Sequence, residues 1–255
     1  MNLHINLYGQ GEDVVLLHGW GMNSDVWHST AQGLMQTYCV HSIDLPGYGR
    51  SQSVTPYTLS TLTHIISQQF PFPVHVIGWS LGGLIGMQWA LSQPRAIKSL
   101  TLVASSPCFM QRAGWSCATP MAHLQQFATQ LATDYRGLIR RFLALQVMGG
   151  EMALQQLRSL EENLLRQGEP NKQVLLDGLQ ILMNSDLRSE VAQISCPMLL
   201  QYGAKDRMTP LKVGEWLLSA CPDAQLVVHP QAAHIPFLSH ATDFLTAQYH
   251  FLQQI

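Results

Sequence analysis

Charge is what this chain has least of. Only 14 of its 255 residues are Lys or Arg and 16 are Asp or Glu, about half the roughly 25% charged residues of an ordinary globular domain. Hydrophobic residues still reach 47%, which excludes a disordered chain, since disorder combines low hydrophobicity with high net charge. Basic residues are scarcer still at the start: Arg50 is the only one in the first 94 positions, and the formal net charge is −2. A general nucleic-acid binder needs a basic face to displace counterions, so that class is excluded. The five cysteines (Cys39, Cys108, Cys117, Cys196 and Cys221) are odd in number and contain no C-x-x-C pair. They imply neither a disulfide framework nor a zinc motif, and a reducing compartment, the cytoplasm, is expected. No apolar run approaches the roughly 18 residues of a membrane helix, and the N-terminus lacks the basic start of a secretory signal. No membrane association is expected. The Gly-x-Gly pairs at Gly19/Gly21 and Gly47/Gly49 lack the third glycine of a dinucleotide fingerprint, and no H-E-x-x-H occurs. The chain is therefore expected to use no cofactor and no metal.

What is present is a recurrence of short aliphatic runs: Val14–Leu17, Cys39–Ile43, Val74–Ile77, Leu100–Val103, Met198–Gln201 and Leu226–Val228. Runs apolar on both faces, each followed by a helical stretch, indicate a parallel sheet covered on both sides. The recurrence breaks once. Between Cys108 and Ser185 the patterns are helical, over Met121–Leu131, Tyr135–Val147, Met152–Gln167 and Lys172–Met183. With the turn Gly78-Trp79-Ser80-Leu81-Gly82 directly after the third run, the expected architecture is an α/β-hydrolase fold, with a core of residues 1–107 and 186–255 and a helical cap of residues 108–185 over the strand C-termini, where sites gather.

The strongest local signal is VHVIGWSLGGLIGMQWAL, residues 74–91. A buried strand enters Gly78-Trp79-Ser80-Leu81-Gly82 and a helix leaves it, as in a nucleophile elbow, where the glycines let strand and helix approach closely. A serine hydroxyl is a weak nucleophile, so it needs a base, and the base an orienting acid; on this fold the chain order is serine, acid, histidine. Asp206 follows the Met198–Gln201 run and is the expected acid. Asp186 also lies between Ser80 and the last histidines, but it leaves a helical stretch rather than a strand. His234, in the loop after the last run, is the expected base; His229 belongs to the run itself. The oxyanion donors are expected to be the backbone N–H of Leu81 and that of Trp20 in the early loop His18-Gly19-Trp20-Gly21. A serine nucleophile points to acyl transfer to water, whereas dehalogenases and epoxide hydrolases of this fold carry aspartate there.

LLHGWG, IDLPGYGRS, GWSLGG, LVASSPCF, RFLALQ and AAHIPFLSH, spread over nearly the whole chain, together resemble the pimeloyl-acyl-carrier-protein methyl ester esterases of biotin synthesis. The first and third motifs reach only the superfamily; LVASSPCF (102–109) and RFLALQ (141–146) are far more specific. The resemblance implies hydrolysis of a methyl ester at the far end of a seven-carbon chain borne on acyl carrier protein; a monomer is expected. It also implies substrate contacts at Trp20, Ser80, Leu81, Phe142, Leu143, Ala144, Leu145 and Gln146. Arg141 and Arg158 stand where the family carries carrier-binding arginines, whereas Gly137 and Leu154 stand at two other such places. Arg136 and Arg140, four apart on one helix face, are expected to compensate. The bland alternative for all four arginines is a solvated helix face. A broad short-chain carboxylesterase or a C–C bond hydrolase would use the same triad; an acyltransferase and a non-catalytic receptor also occur on the fold.

Overall fold

The computed structural model describes residues 2–148, 153–165 and 171–255. Seven strands form one sheet in the order β1-β3-β2-β4-β5-β6-β7: β1 (Ile5–Tyr8), β2 (Glu12–Leu17), β3 (Tyr38–Ile43), β4 (Val74–Trp79), β5 (Ile97–Val103), β6 (Met198–Gly203) and β7 (Ala224–His229). All pairings are parallel except β1 with β3. Six strands fall on the six aliphatic runs. β1 was not among them, because the antiparallel edge strand INLY is half exposed and carries Asn6 rather than a continuous apolar run. The central strands β4 and β6 are buried along their whole length, as expected where helices cover both faces.

The core helices are α1 (His28–Leu34), α2 (Leu59–Ser67) and α3 (Leu81–Ser92). Between β5 and β6 run α4 (Met121–Thr133), α5 (Tyr135–Val147), α6 (Ala153–Leu165) and α7 (Lys172–Asn184). After β6 come α8 (Leu211–Ala220), α9 (Pro236–Ser239) and α10 (Ala241–Leu252). The expected α6 ends, Met152, Arg166 and Gln167, lie outside the described residues. The starts of α5 and α7 have a local cause, since Asp134 Oδ1 accepts from Gly137 N at 3.0 Å and Asn171 Oδ1 from Gln173 N at 2.9 Å. Such side-chain caps satisfy backbone donors left free at a helix start. The five cysteines are all free thiols. Among the described residues no helix is long and apolar enough to cross a membrane.

Candidate active site

The turn from β4 into α3 carries Ser80 at φ 54°, ψ −114°. A non-glycine residue held there stores on the order of 1–3 kcal/mol and persists only if its surroundings over-determine it. They do. Ser80 N–H donates to Val103 O at 3.0 Å, and Ser80 O accepts from Gly83 N at 3.0 Å, Leu84 N at 3.2 Å and Ser105 Oγ at 2.7 Å. The glycines are required by proximity. A Cβ on Gly78 would lie 2.5 Å from Gly82 O, and one on Gly82 would lie 2.2 Å from Leu17 O. The second contact presses the start of α3 against the end of β2, bringing the His18–Gly21 loop beside Leu81. Neither the Trp20 nor the Leu81 N–H is bonded to a backbone carbonyl among the described residues.

That loop is held by a buried histidine. His18 Nδ1–H donates to Gly19 O at 2.8 Å and Nε2 accepts from Leu45 N at 3.0 Å, which requires the neutral ring. Burial pushes its pKa down to about 4. Burial, with His240 nearby, likewise brings His229 down to about 4; its Nε2 bonds Gln201 Oε1 at 3.0 Å behind the site. The consequence for stability follows from linkage. In the unfolded chain these rings take up protons near pH 6.5, so the stabilisation is complete above that pH. It is lost as the pH falls from 6.5 towards 4, by ~3 kcal/mol per histidine at most. Melting temperatures should therefore drop steeply over this interval, and His229→Gln should flatten the profile. An equally steep profile in the variant would remove His229 from the account.

At the end of β6, Asp206 Oδ1 accepts from Met208 N at 2.8 Å and Thr209 N at 2.9 Å. Its Oδ2 lies 2.7 Å from His234 Nδ1, both side chains being buried. The carboxylate fixes the proton on Nδ1 and leaves the Nε2 lone pair free. Nε2 is buried without a hydrogen-bond partner among the described residues, and His234 and Ser80 line the same cavity. The histidine backbone is tied on two sides: His234 N–H donates to Gln146 O at 3.0 Å, and Trp79 Nε1–H donates to His234 O at 3.0 Å. Asp186 is elsewhere. Its carboxylate is held at 2.7 Å by Arg188 and at 3.6 Å by Arg112, and those cations, Arg188 first, lower its pKa.

The cavity encloses about 600 Å³, within the range of small-ligand sites. Its walls are mostly apolar. Trp20 anchors one side, its Nε1 donating to Leu175 O at 2.8 Å and its ring meeting Phe142 edge-on at 4.7 Å. Phe142, Ala144 and Leu145 line the cavity, but Leu143 and Gln146 do not. The expected segment thus divides between cavity wall and core, because successive residues of a helix cannot all share one face. Leu143 is buried in the hydrophobic core, and Gln146 meets the site through its carbonyl. Among the lining residues that no motif marks are Leu124 and Phe127 on α4, and Leu179 and Leu182 on α7. Their i, i+3 spacing was the available signal. Trp79 and the Gln146 carbonyl had none, since backbone and indole partners leave no pattern in a sequence.

The arginines diverge. Arg140 is engaged with Glu161 at 2.9 Å. Arg141 is half exposed, 3.4 Å from Asp134, and also lines the cavity. Arg158 is exposed; the Arg136 side chain lies outside the described residues.

The profile of the alpha/beta hydrolase family matches residues 14–247. A pimeloyl-[acyl-carrier protein] methyl ester esterase of Chromobacterium violaceum is 42% identical over 97% of this chain and 96% of its own. One from Serratia marcescens is 43% identical over 96% and 95%; one from Nitrosomonas europaea is 40% identical over 96% and 97%. Among solved structures, an esterase from Exiguobacterium antarcticum superposes with a TM-score of 0.91 at 21% identity, covering 98% of this chain and 95% of that one. A bromoperoxidase from Bacillus anthracis gives 0.91 at 20%, with the same coverage. At such identities these two likenesses concern the fold alone.

Proposed function

The chain belongs to the alpha/beta-hydrolase family, among its pimeloyl-acyl-carrier-protein methyl ester esterases, and we propose that Ser80, His234 and Asp206 carry out its ester hydrolysis. The reaction cleaves the methyl ester of pimeloyl-acyl-carrier protein, a step of biotin synthesis. The observation that carries the residue assignment is the cavity shared by Ser80 and His234, with the histidine held by Asp206 at 2.7 Å. Ser80 Oγ attacks the ester carbonyl as Nε2 of His234 takes its proton, and Asp206 stabilises the resulting imidazolium. The Trp20 and Leu81 N–H groups bond the tetrahedral oxyanion. As the intermediate collapses, the methoxy oxygen leaves with the proton from His234 as methanol. Water then attacks the acyl-serine, giving up a proton to His234, and the free acid and Ser80 are regenerated.

Residues 108–185 act as a cap whose α4, α5 and α7 wall the acyl chain. The cavity is mostly apolar because the acyl chain is; Ser80 and His234 stand at its reacting end, and Arg141 is among its polar lining residues. The acidic carrier docks on Arg141 and Arg158. Arg140 contributes little there, since Glu161 already neutralises it. The enzyme works in the cytoplasm as a monomer.

Purified protein should hydrolyse the methyl ester of pimeloyl-acyl-carrier protein faster than a short p-nitrophenyl ester at equal concentration. The reverse order would favour a broad short-chain carboxylesterase. Changing Arg158 to Glu should lower kcat/KM on the carrier-linked ester by roughly 10-fold, the scale of one close charge contact, and leave the small ester within about twofold. Equal losses on both substrates would return Arg158 to the role of a solvated helix face.

A further inference from the structure

At the other end of the sheet from Ser80, three metal-binding side chains of different types converge. Asp13 on β2 is directly paired with Cys39 on β3, and His41 stands two residues further along β3. Alternation along a strand puts Cys39 and His41 on one face, and the direct pairing brings Asp13 onto the same face. His41 Nε2 lies 2.7 Å from Asp13 Oδ1 and 3.5 Å from Cys39 Sγ. The three donor atoms all fall within 4.8 Å of one another. Phe70 packs its ring edge-on against His41 at 5.1 Å, closing one side.

We propose that Asp13, Cys39 and His41 form a binding site for zinc or a similar borderline divalent cation, with a water as fourth ligand. The donor set selects the metal: thiolate and imidazole favour zinc or cobalt over magnesium or calcium, which take oxygen ligands. The spacing is close to what is required. Tetrahedral bonds of about 2.0–2.3 Å place donor atoms about 3.3–3.6 Å apart. The sulfur–nitrogen separation already has this value, and the carboxylate must withdraw by about 0.6 Å. Charge also balances, since one thiolate and one carboxylate neutralise a divalent ion at a half-buried site. Among the described residues no Lys or Arg forms an ion pair with Asp13. Loading releases the Cys39 thiol proton to solvent, while His41 moves its proton from Nε2 to Nδ1 and donates the freed lone pair.

The site ties the N-terminal half of β2 to that of β3. Four residues of β2, about 13 Å, separate Asp13 from the strand's end at Leu17, so the ion stands away from the reacting atoms and its effect is on stability. The proposal is independent of the triad.

The test is a titration of the full chain, stripped with chelator, with cobalt and then zinc. A thiolate-to-cobalt charge-transfer band should saturate at one equivalent and be displaced by zinc. Saturating zinc should raise Tm by ~5 °C or more, as for a ligand that binds only the folded state. Cys39→Ser should abolish the band and the Tm rise, and Asp13→Asn should weaken binding by about tenfold or more. Both variants should melt with chelator close to the unaltered protein, which shows that they fold. No band at one equivalent, or a band that survives Cys39→Ser, would overturn the proposal; the trio would then be a hydrogen-bonded surface cluster only.

Discussion

Replacing Ser80 by Ala should lower kcat on any ester by roughly 10⁴- to 10⁶-fold, the scale on which removal of a triad nucleophile acts. The variant should fold, because what over-determines the turn is backbone. The hydrogen bonds of Ser80 N and O to Val103, Gly83, Leu84 and Ser105 do not involve its Oγ. The cavity keeps its shape, so binding of a non-hydrolysed acyl amide should be retained within a few-fold while turnover disappears. Steady-state rates on a p-nitrophenyl ester, together with calorimetric binding of the amide, separate the two quantities. Turnover within tenfold of the unaltered enzyme, in protein free of other esterases, would end the assignment of Ser80.

Asp206→Asn should cost about 10⁴-fold in kcat at neutral pH, by a different route. The two shapes are nearly the same, and the amide oxygen can still accept from the N–H groups of Met208 and Thr209, which now bond Oδ1 at 2.8 and 2.9 Å. The amide nitrogen then faces His234 Nδ1 and can only donate. The imidazole must answer with its lone pair on Nδ1 and its proton on Nε2, leaving no base towards Ser80. Melting temperature should change little while the rate falls, which distinguishes lost proton transfer from lost structure. A loss of tenfold or less would mean that another group orients His234. Asp186 is a poor substitute, bound as it is to Arg188 and Arg112.

Much of this site can be read in the sequence because its chemistry is tied to local patterns. The elbow needs glycines two positions either side of the serine, and the contacts at Gly78 and Gly82 show why. Asp206 and His234 each follow an aliphatic run, so their place beyond the strand ends comes with the parallel sheet. Tyr135–Val147 matches its expected bounds because Asp134 caps one end and the apolar stripe sets its register. Where the reading fell short, the determinant was relational. β1 pairs through its backbone and has little apolar signature. Leu143 and Gln146 sit inside a motif, but a helix turns successive residues away from one another, and only packing decides which of them meet the cavity.

The scarcity of charge shows the same division. The sequence by itself concentrates the positive side chains between 136 and 158, where four arginines stand against one acid. The tertiary structure assigns the charges their partners: Arg140 goes to Glu161, while Arg141 meets Asp134 and lines the cavity that holds Ser80. It also brings Asp13, Cys39 and His41 together across two strands, although nothing in the cysteine spacing suggested a metal. A sequence determines what repeats at short range, because helix and strand periods are properties of the backbone. Which side chains meet across 26 or 28 positions is decided by strand order and register, which exist only once the core has closed.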